Sequence, residues 1–228
     1  MTGGGAAGVE VYEAGAAGAR VRVRLDGRRA ARDDGLLAAG GHLLWADVVE
    51  SAEHDARVVA VVPGEARRAE TPGEAASLPA LTTSLQAGPA LLARSVAALP
   101  ERPGVVLWYE HAGGPQVVLR VRVLLSGRPL GALAFANEGA RLAPVLREDG
   151  GLRFRLYPGT PPLTFHAAGA VFVERPAWRG AGYGDGEEDL PSPGFFFTIL
   201  RRPGAIARIV ALADDGAAPA LLAAGARP

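Results

Sequence analysis

The sequence contains no cysteine, no lysine and only one methionine. Without cysteine, the chain has no disulfide framework, no thiolate nucleophile and no iron–sulfur cluster or zinc ribbon. All 24 basic residues are arginine, and 24 acidic residues balance them, so the formal net charge is zero. A neutral chain lacks the positive field that holds nucleic acid through counterion release. Because 49% of the residues are hydrophobic, the chain can nevertheless bury a sizeable core.

Long apolar runs are also absent, because Arg, Asp, Gly and Pro interrupt every candidate for an 18-residue membrane span. The first eight residues, MTGGGAAG, have neither the basic nor the apolar region of a signal peptide. We therefore expect a cytoplasmic protein. Its predicted parts are a flexible tail at residues 1–8, one domain at residues 9–213, and a tail or linker at residues 214–228.

Glycine and proline, with 31 and 18 residues, divide the chain into short strand-like segments. Residues 20–25 alternate strictly, with arginines on one face and aliphatic side chains on the other, and residues 117–125 and 153–157 continue this pattern. The other strand-like segments are residues 43–49, 57–62, 105–110, 170–173, 195–200 and 206–212. Many short strands without a βαβ rhythm predict an all-β fold, a large two-sheet antiparallel β-sandwich.

The connections between strands give further expectations. Residues 111–115, HAGGP, predict a tight turn that joins the strands on either side as a β-hairpin. Few short helices are expected: residues 89–99 fit both helix and strand spacing, and residues 130–137 have room for one or two turns. Arg120 and Arg122 either pair with acids on neighbouring strands or face water.

Residue types that carry catalysis are scattered along the chain. No histidine pair stands at metal-ligand spacing, and we expect no metal and no cofactor. The four histidines are His42, His54, His111 and His166. Glycines at residues 3–8 match the letters of a dinucleotide fingerprint without its strand and helix. The acidic residues 185–189 lack the pattern of a calcium loop, and we interpret them as a solvated loop.

Aromatic residues are few, and three groups stand out. Trp108 and Tyr109 must face opposite sides of a strand. The Phe-Phe-Phe run at residues 195–197 indicates a strand covered on both faces. Trp178 and Tyr183 lie in a Gly-rich stretch, where their rings either stack against sugars or plug one end of the sandwich.

Several phrases between residues 105 and 215 resemble one known family when they are taken in order. They are VVLWYE at residues 105–110, residues 117–125 with Arg128, YPGTPPL at residues 157–163, Trp178 after a proline-containing turn, and EDLPSPGF at residues 188–195. Together they resemble the N-terminal domain of bacterial and archaeal glycogen debranching enzymes. The match covers about half of the chain and is loose over residues 1–90.

This resemblance implies a non-catalytic β-supersandwich that supports or contacts α-glucan in glycogen degradation. It implies substrate contacts at Trp178, Tyr183, Arg128 and Tyr157. In the family, an (α/α)6 barrel follows this domain and is implied to carry the carboxylates for amylo-α-1,6-glucosidase activity. The sequence ends where that barrel would begin, so we expect no catalytic residue here. The expected partners are α-glucan and a separate barrel chain, with no nucleic acid and no membrane.

Two other hypotheses stay open. After Arg128 the chain has Pro-Leu-Gly where the family has Asp-Tyr-His. This departure favours a diverged β-sandwich interaction module without carbohydrate function, which predicts an apolar patch on one sheet. The third hypothesis is a hydrolase whose acids are Glu110, Glu174 or residues 185–189.

Overall fold

The computed structural model of the chain describes residues 11–16, 18–24, 29, 31–54, 56–70, 78–183 and 186–216. This part of the chain contains strands and no helix, which confirms the all-β prediction. The strands are β1 Val11–Ala16, β2 Ala19–Arg24, β3 Gly35–Ala39, β4 His42–His54, β5 Arg57–Glu70, β6 Pro79–Ala87, β7 Ala90–Ala98, β8 Gly104–Gly113, β9 Val117–Pro129, β10 Val145–Leu146, β11 Leu152–Phe154, β12 Leu163–Ala168, β13 Val171–Tyr183, β14 Gly186–Leu200 and β15 Ile206–Leu212. The predicted N-terminal tail and most of the predicted C-terminal tail lie outside the described residues.

The strands form two antiparallel layers around a shared core, which is a β-sandwich. The first sheet has the order β1-β2-β3-β4-β9-β14-β13. The second sheet has the order β5-β6-β7-β8-β15-β12-β11-β10. Strand β5 joins the two sheets, because residues 57–60 pair with β4 and residues 61–70 pair with β6.

Strand alternation decides which side chains enter the core. In β9, Leu119, Val121 and Val123 are buried between the sheets, whereas Arg120 and Arg122 take the outer face, as the sequence pattern predicts. No segment described by the structure forms a helix of the length and apolarity that a membrane crossing needs.

Aromatic contacts join the two sheets. Phe165 of the second sheet lies with its ring centroid 5.0 Å from that of Trp45 and 5.7 Å from that of Phe196, both in the first sheet. Edge-on and tilted pairs at such distances are favourable because ring edges and faces carry opposite partial charges. The neighbours of Phe196, Phe195 and Phe197, are half-buried on the outer face, so that face of β14 is covered only in part.

The predicted β-hairpin at HAGGP is wrong. Strand β8 belongs to the second sheet and pairs with β7 and β15, whereas β9 belongs to the first sheet and pairs with β4 and β14. The connection is therefore an arch between stacked sheets. Gly114 has the expected positive φ of 89°. A short glycine turn suits an arch as well as a hairpin, because strand pairing depends on segments far away in sequence.

The expected short helices do not occur among the described residues either. Residues 89–99 contain strand β7, in which Leu92, Arg94 and Val96, spaced two positions apart, are all buried. Residues 130–137 form a turn and an irregular loop. The amides of Gly131, Ala134 and Ala136 donate to side-chain carboxylates instead of to helical carbonyls. The predicted strand at residues 153–157 also ends early, at Phe154.

Candidate functional site

A cleft of about 300 Å³ opens where β4 begins and β9 ends, beside the loop that follows β9 and the turn that precedes β12. Its wall combines aromatic rings, an imidazole, an amide and hydroxyl groups with aliphatic side chains. The lining residues are His42, Ser126, Gly127, Arg128, Pro129, Leu133, Ala134, Phe135, Asn137, Tyr157, Pro158 and Thr160. Two of the four predicted substrate contacts, Arg128 and Tyr157, therefore meet at one cleft, which we call the Tyr157 cleft.

The YPGT sequence positions the ring of Tyr157 at this cleft. The Thr160 amide donates to the Tyr157 carbonyl at 3.3 Å, and the Thr160 hydroxyl donates to the same oxygen at 2.8 Å. With Pro158 at the second position and Gly159 at a φ of +83°, the segment forms a type II turn. The side-chain amide of Asn137 then donates to the Tyr157 phenol oxygen at 3.1 Å.

Arg128 forms part of the cleft wall, but its guanidinium is occupied by neighbouring protein groups. The side chain is buried, its Nε donates to Glu188 Oε2 at 3.0 Å, and its Nη1 donates to Asp33 Oδ1 at 2.9 Å. Its Nη2 donates to the carbonyl oxygen of Arg32. In this structure Arg128 holds the wall together and does not present its charge to the cleft.

Asp33 ties the same guanidinium to the loop after β9. The Gly131 amide lies 3.0 Å from both carboxylate oxygens of Asp33. Burial raises the pKa of Asp33, but the Gly131 amide and the Arg128 guanidinium outweigh burial, so the pKa lies below its ordinary value. The carboxylate is therefore stabilised in its charged form.

The interpretation of residues 185–189 as a solvated loop is wrong for Glu188. This residue is buried in β14 and accepts from the Ala134 amide at 3.1 Å. Besides its bond to Arg128, its Oε1 lies 2.7 Å from Nη2 of the buried Arg29. Strand alternation turns Glu188 towards the buried Arg29 and Arg128 and leaves its neighbour Glu187 exposed. Asp185 lies outside the described residues.

The other two predicted contacts lie elsewhere. The ring of Tyr183 packs under Arg29, whose Cζ is 5.3 Å from the ring centroid, so Tyr183 belongs to the network behind the cleft. Trp178 is half-buried and is not part of the cleft wall. Because Trp178 and Tyr183 are five positions apart in one strand, they face opposite sides of the β13–β14 hairpin.

Of the acids considered for hydrolysis, those that the structure describes do not line this cleft. Glu110 lies half-buried on β8, and Glu174 lies on the exposed strand β13. Glu188 is neutralised by two arginines. Within the described ranges, no three metal-ligating side chains come together.

A charged group inside the sandwich was not predicted. Glu50 of the first sheet accepts from Arg94 Nη1 at 2.7 Å and from the Tyr109 hydroxyl at 2.9 Å, both in the second sheet. Burial and the nearby Glu50 carboxylate raise the pKa of Tyr109 well above its ordinary value. The sequence does carry a sign of this group: Arg94 occupies an inward position between the core residues Leu92 and Val96.

Next to this group, burial raises the pKa of Asp47 to about 6, although a hydrogen bond donated by the Val48 amide and the charge of Arg94 act in the opposite direction. Both carboxylates belong to the packed interior of the sandwich and lie outside the cleft wall. We therefore treat the group as part of the scaffold.

Comparison of the sequence with protein-family models and with curated proteins found no match.

Proposed function

We propose that the chain is a cytoplasmic, non-catalytic β-sandwich domain that contacts α-glucan at the Tyr157 cleft, as the resemblance to glycogen debranching enzymes implies. The observation that carries the proposal is the composition of the cleft wall. The half-buried ring of Tyr157 and the exposed ring of Phe135 lie beside the amide of Asn137. Pyranose rings have an apolar face that packs on aromatic rings, and their hydroxyls bond to amides and imidazoles.

The size and chemistry of the cleft suit recognition. Its volume of about 300 Å³ lies at the lower end of the range for ligand pockets. Glycoside hydrolysis requires two carboxylates about 5 to 9.5 Å apart on either side of the scissile bond. The described lining residues supply none, since Glu188 and Asp33 are held by Arg128 behind the wall. A separate (α/α)6 barrel chain that supplies both carboxylates completes the proposal.

The charged network behind the wall supports such a role by holding the cleft in shape. Glu188 and Arg128 connect β14 to the end of β9, and the Ala134 amide connects both to the loop that carries Phe135. A wall that is rigid before binding loses little conformational entropy when a sugar is bound. The network therefore favours recognition without contacting the sugar.

The experiment is a titration of the purified chain with maltoheptaose, in which binding is measured by calorimetry and by changes in the NMR spectrum of the protein. We expect Tyr157→Ala and Phe135→Ala each to weaken binding about tenfold, because each loses an aromatic contact worth about 0.5–1.5 kcal/mol beyond its burial. Trp178→Ala is the matched control, since Trp178 lies off the cleft wall and should leave the affinity unchanged.

Two results would overturn the proposal. One is absence of binding by the folded parent chain, which would favour a diverged interaction module. The other is loss of binding in Trp178→Ala but not in Tyr157→Ala, which would place glucan on the β13–β14 hairpin. Circular dichroism of each variant separates loss of binding from loss of fold.

A further inference from the structure

A second depression lies on the outer face of the first sheet, where β4, β9, β14 and β13 run side by side. Its volume is about 340 Å³. The rings of Phe195 and Phe197 line it together with the side chains of Arg120, Arg122 and Arg175. We call it the arginine groove; it shares no lining residue with the Tyr157 cleft.

Among the residues that the structure describes, the arginine groove carries positive charge that no carboxylate neutralises. Arg120 is paired with Glu53 at 2.6 Å and adds no net charge. In the part of the chain that the structure describes, no carboxylate lies within ion-pair distance of Arg122, Arg175 or Arg179. Burial lowers the pKa of Arg122, and the positive charges of Arg179 and Arg175 lower it further.

Arg122 is held in one orientation with its binding edge free. Its Nη1 donates to the Ser192 hydroxyl at 3.0 Å and to the Arg175 carbonyl at 3.2 Å, and its Cζ lies 5.7 Å from the Phe195 ring centroid. Its Nε and Nη2 groups donate to none of the described residues. These two groups form the edge of a guanidinium that pairs with two oxygens of a carboxylate or phosphate.

We infer that the arginine groove binds a small phosphate monoester, with its phosphate oxygens on Arg122 and Arg175 and its esterified group against Phe195 and Phe197. The two guanidiniums of Arg122 and Arg175 that line the groove suit a phosphate of charge near −2 better than a single carboxylate. The size of the groove suits a small ligand, and its rings provide the apolar contact that inorganic phosphate cannot use. This assignment does not depend on glucan binding at the other cleft.

The test uses three probes on the purified chain: phenyl phosphate, inorganic phosphate and uncharged benzyl alcohol. We expect calorimetry to show that phenyl phosphate binds most tightly, inorganic phosphate more weakly, and benzyl alcohol not at all. Arg122→Gln and Arg175→Gln should each weaken phenyl phosphate binding about tenfold, as expected for a lost hydrogen bond to a charged group. The exposed Arg155, outside the groove, provides the matched control Arg155→Gln, which should keep the parent affinity.

The assignment is overturned if the folded parent does not bind phenyl phosphate, or if inorganic phosphate binds equally well. It is also overturned if Arg155→Gln weakens binding as much as Arg175→Gln, since that result indicates unspecific attraction between charges. If Arg122→Gln unfolds because its bond to Ser192 is lost, Arg175→Gln alone decides, because the exposed Arg175 side chain makes no bond with the described residues.

Discussion

Among single residues, Glu188 has the largest structural role near the Tyr157 cleft. Its carboxylate lies between the buried guanidiniums of Arg29 and Arg128 and also accepts from the Ala134 amide. Moving each of these charges out of water costs several kcal/mol, and their mutual attraction offsets that cost only while all three are present. The network is therefore sensitive to the loss of any one charge.

We predict that Glu188→Gln lowers the free energy of unfolding by about 3–5 kcal/mol, because the buried Arg29 then loses its carboxylate partner and the buried Arg128 keeps only Asp33. Urea unfolding followed by tryptophan fluorescence measures this change. Glu187→Gln is the control: its side chain is exposed in the same hairpin, and the expected change stays within about 0.5 kcal/mol. A change in the free energy of unfolding as small in Glu188→Gln as in Glu187→Gln would show that the ion pairs contribute little.

Among the connections between elements, the arch between β8 and β9 requires a glycine at one position only. Gly114 has a φ of +89°, and a Cβ built on it lies 2.6 Å from the Pro89 carbonyl oxygen. Gly113, the preceding residue, has open space around its Cβ position. The imidazole of His111 closes the arch by donating from Nε2 to the Pro115 carbonyl at 2.8 Å.

We predict that Gly114→Ala costs at least about 1–3 kcal/mol of stability, because alanine is strained at positive φ and its Cβ meets backbone that cannot move away. Gly113→Ala, one position earlier in the same arch, should be neutral or stabilising by up to about 1 kcal/mol, since alanine restricts the unfolded chain. Thermal unfolding of both variants provides the comparison. Equal midpoints would mean that the arch adapts to a side chain at Gly114.

For the whole molecule, the Glu50–Arg94–Tyr109 group connects the two sheets across the core. Arg94 and Tyr109 lie on adjacent strands of the second sheet, and both donate to one oxygen of Glu50 in the first sheet. A carboxylate in this position is favourable only while its partners remain. The group therefore favours one alignment of the two sheets over others with equally apolar contacts.

We predict that Arg94→Leu lowers the free energy of unfolding by about 3–5 kcal/mol. Adding Glu50→Leu to this variant should restore most of the lost free energy, because neither charge of this pair is then left in the core without its partner. A double-mutant cycle should give a coupling energy of at least about 1 kcal/mol. The exposed pair Arg153–Asp215, at 3.3 Å, is the control, with an expected coupling of about 0–1 kcal/mol. Additive losses at Glu50 and Arg94 would contradict the inter-sheet role.

The sequence by itself determined the fold class and much of the local structure. Alternation predicted the two faces of β9, and the apolar segment at residues 206–212 coincides with β15. The YPGT segment determines its own turn, because proline presets one φ and glycine permits the next. These features were predictable because each depends only on residues a few positions apart.

Only the tertiary structure decided which segments meet. The HAGGP turn could not reveal that it joins two sheets, because the strands on either side of it pair with segments far along the chain. The acidic segment around Glu188 looked solvated because its arginine partners, Arg29 and Arg128, are distant in sequence. The free edge of Arg122 likewise depends on Ser192, 70 residues away. Side-chain direction is a local property of a strand, whereas burial and charge pairing depend on packing between distant strands.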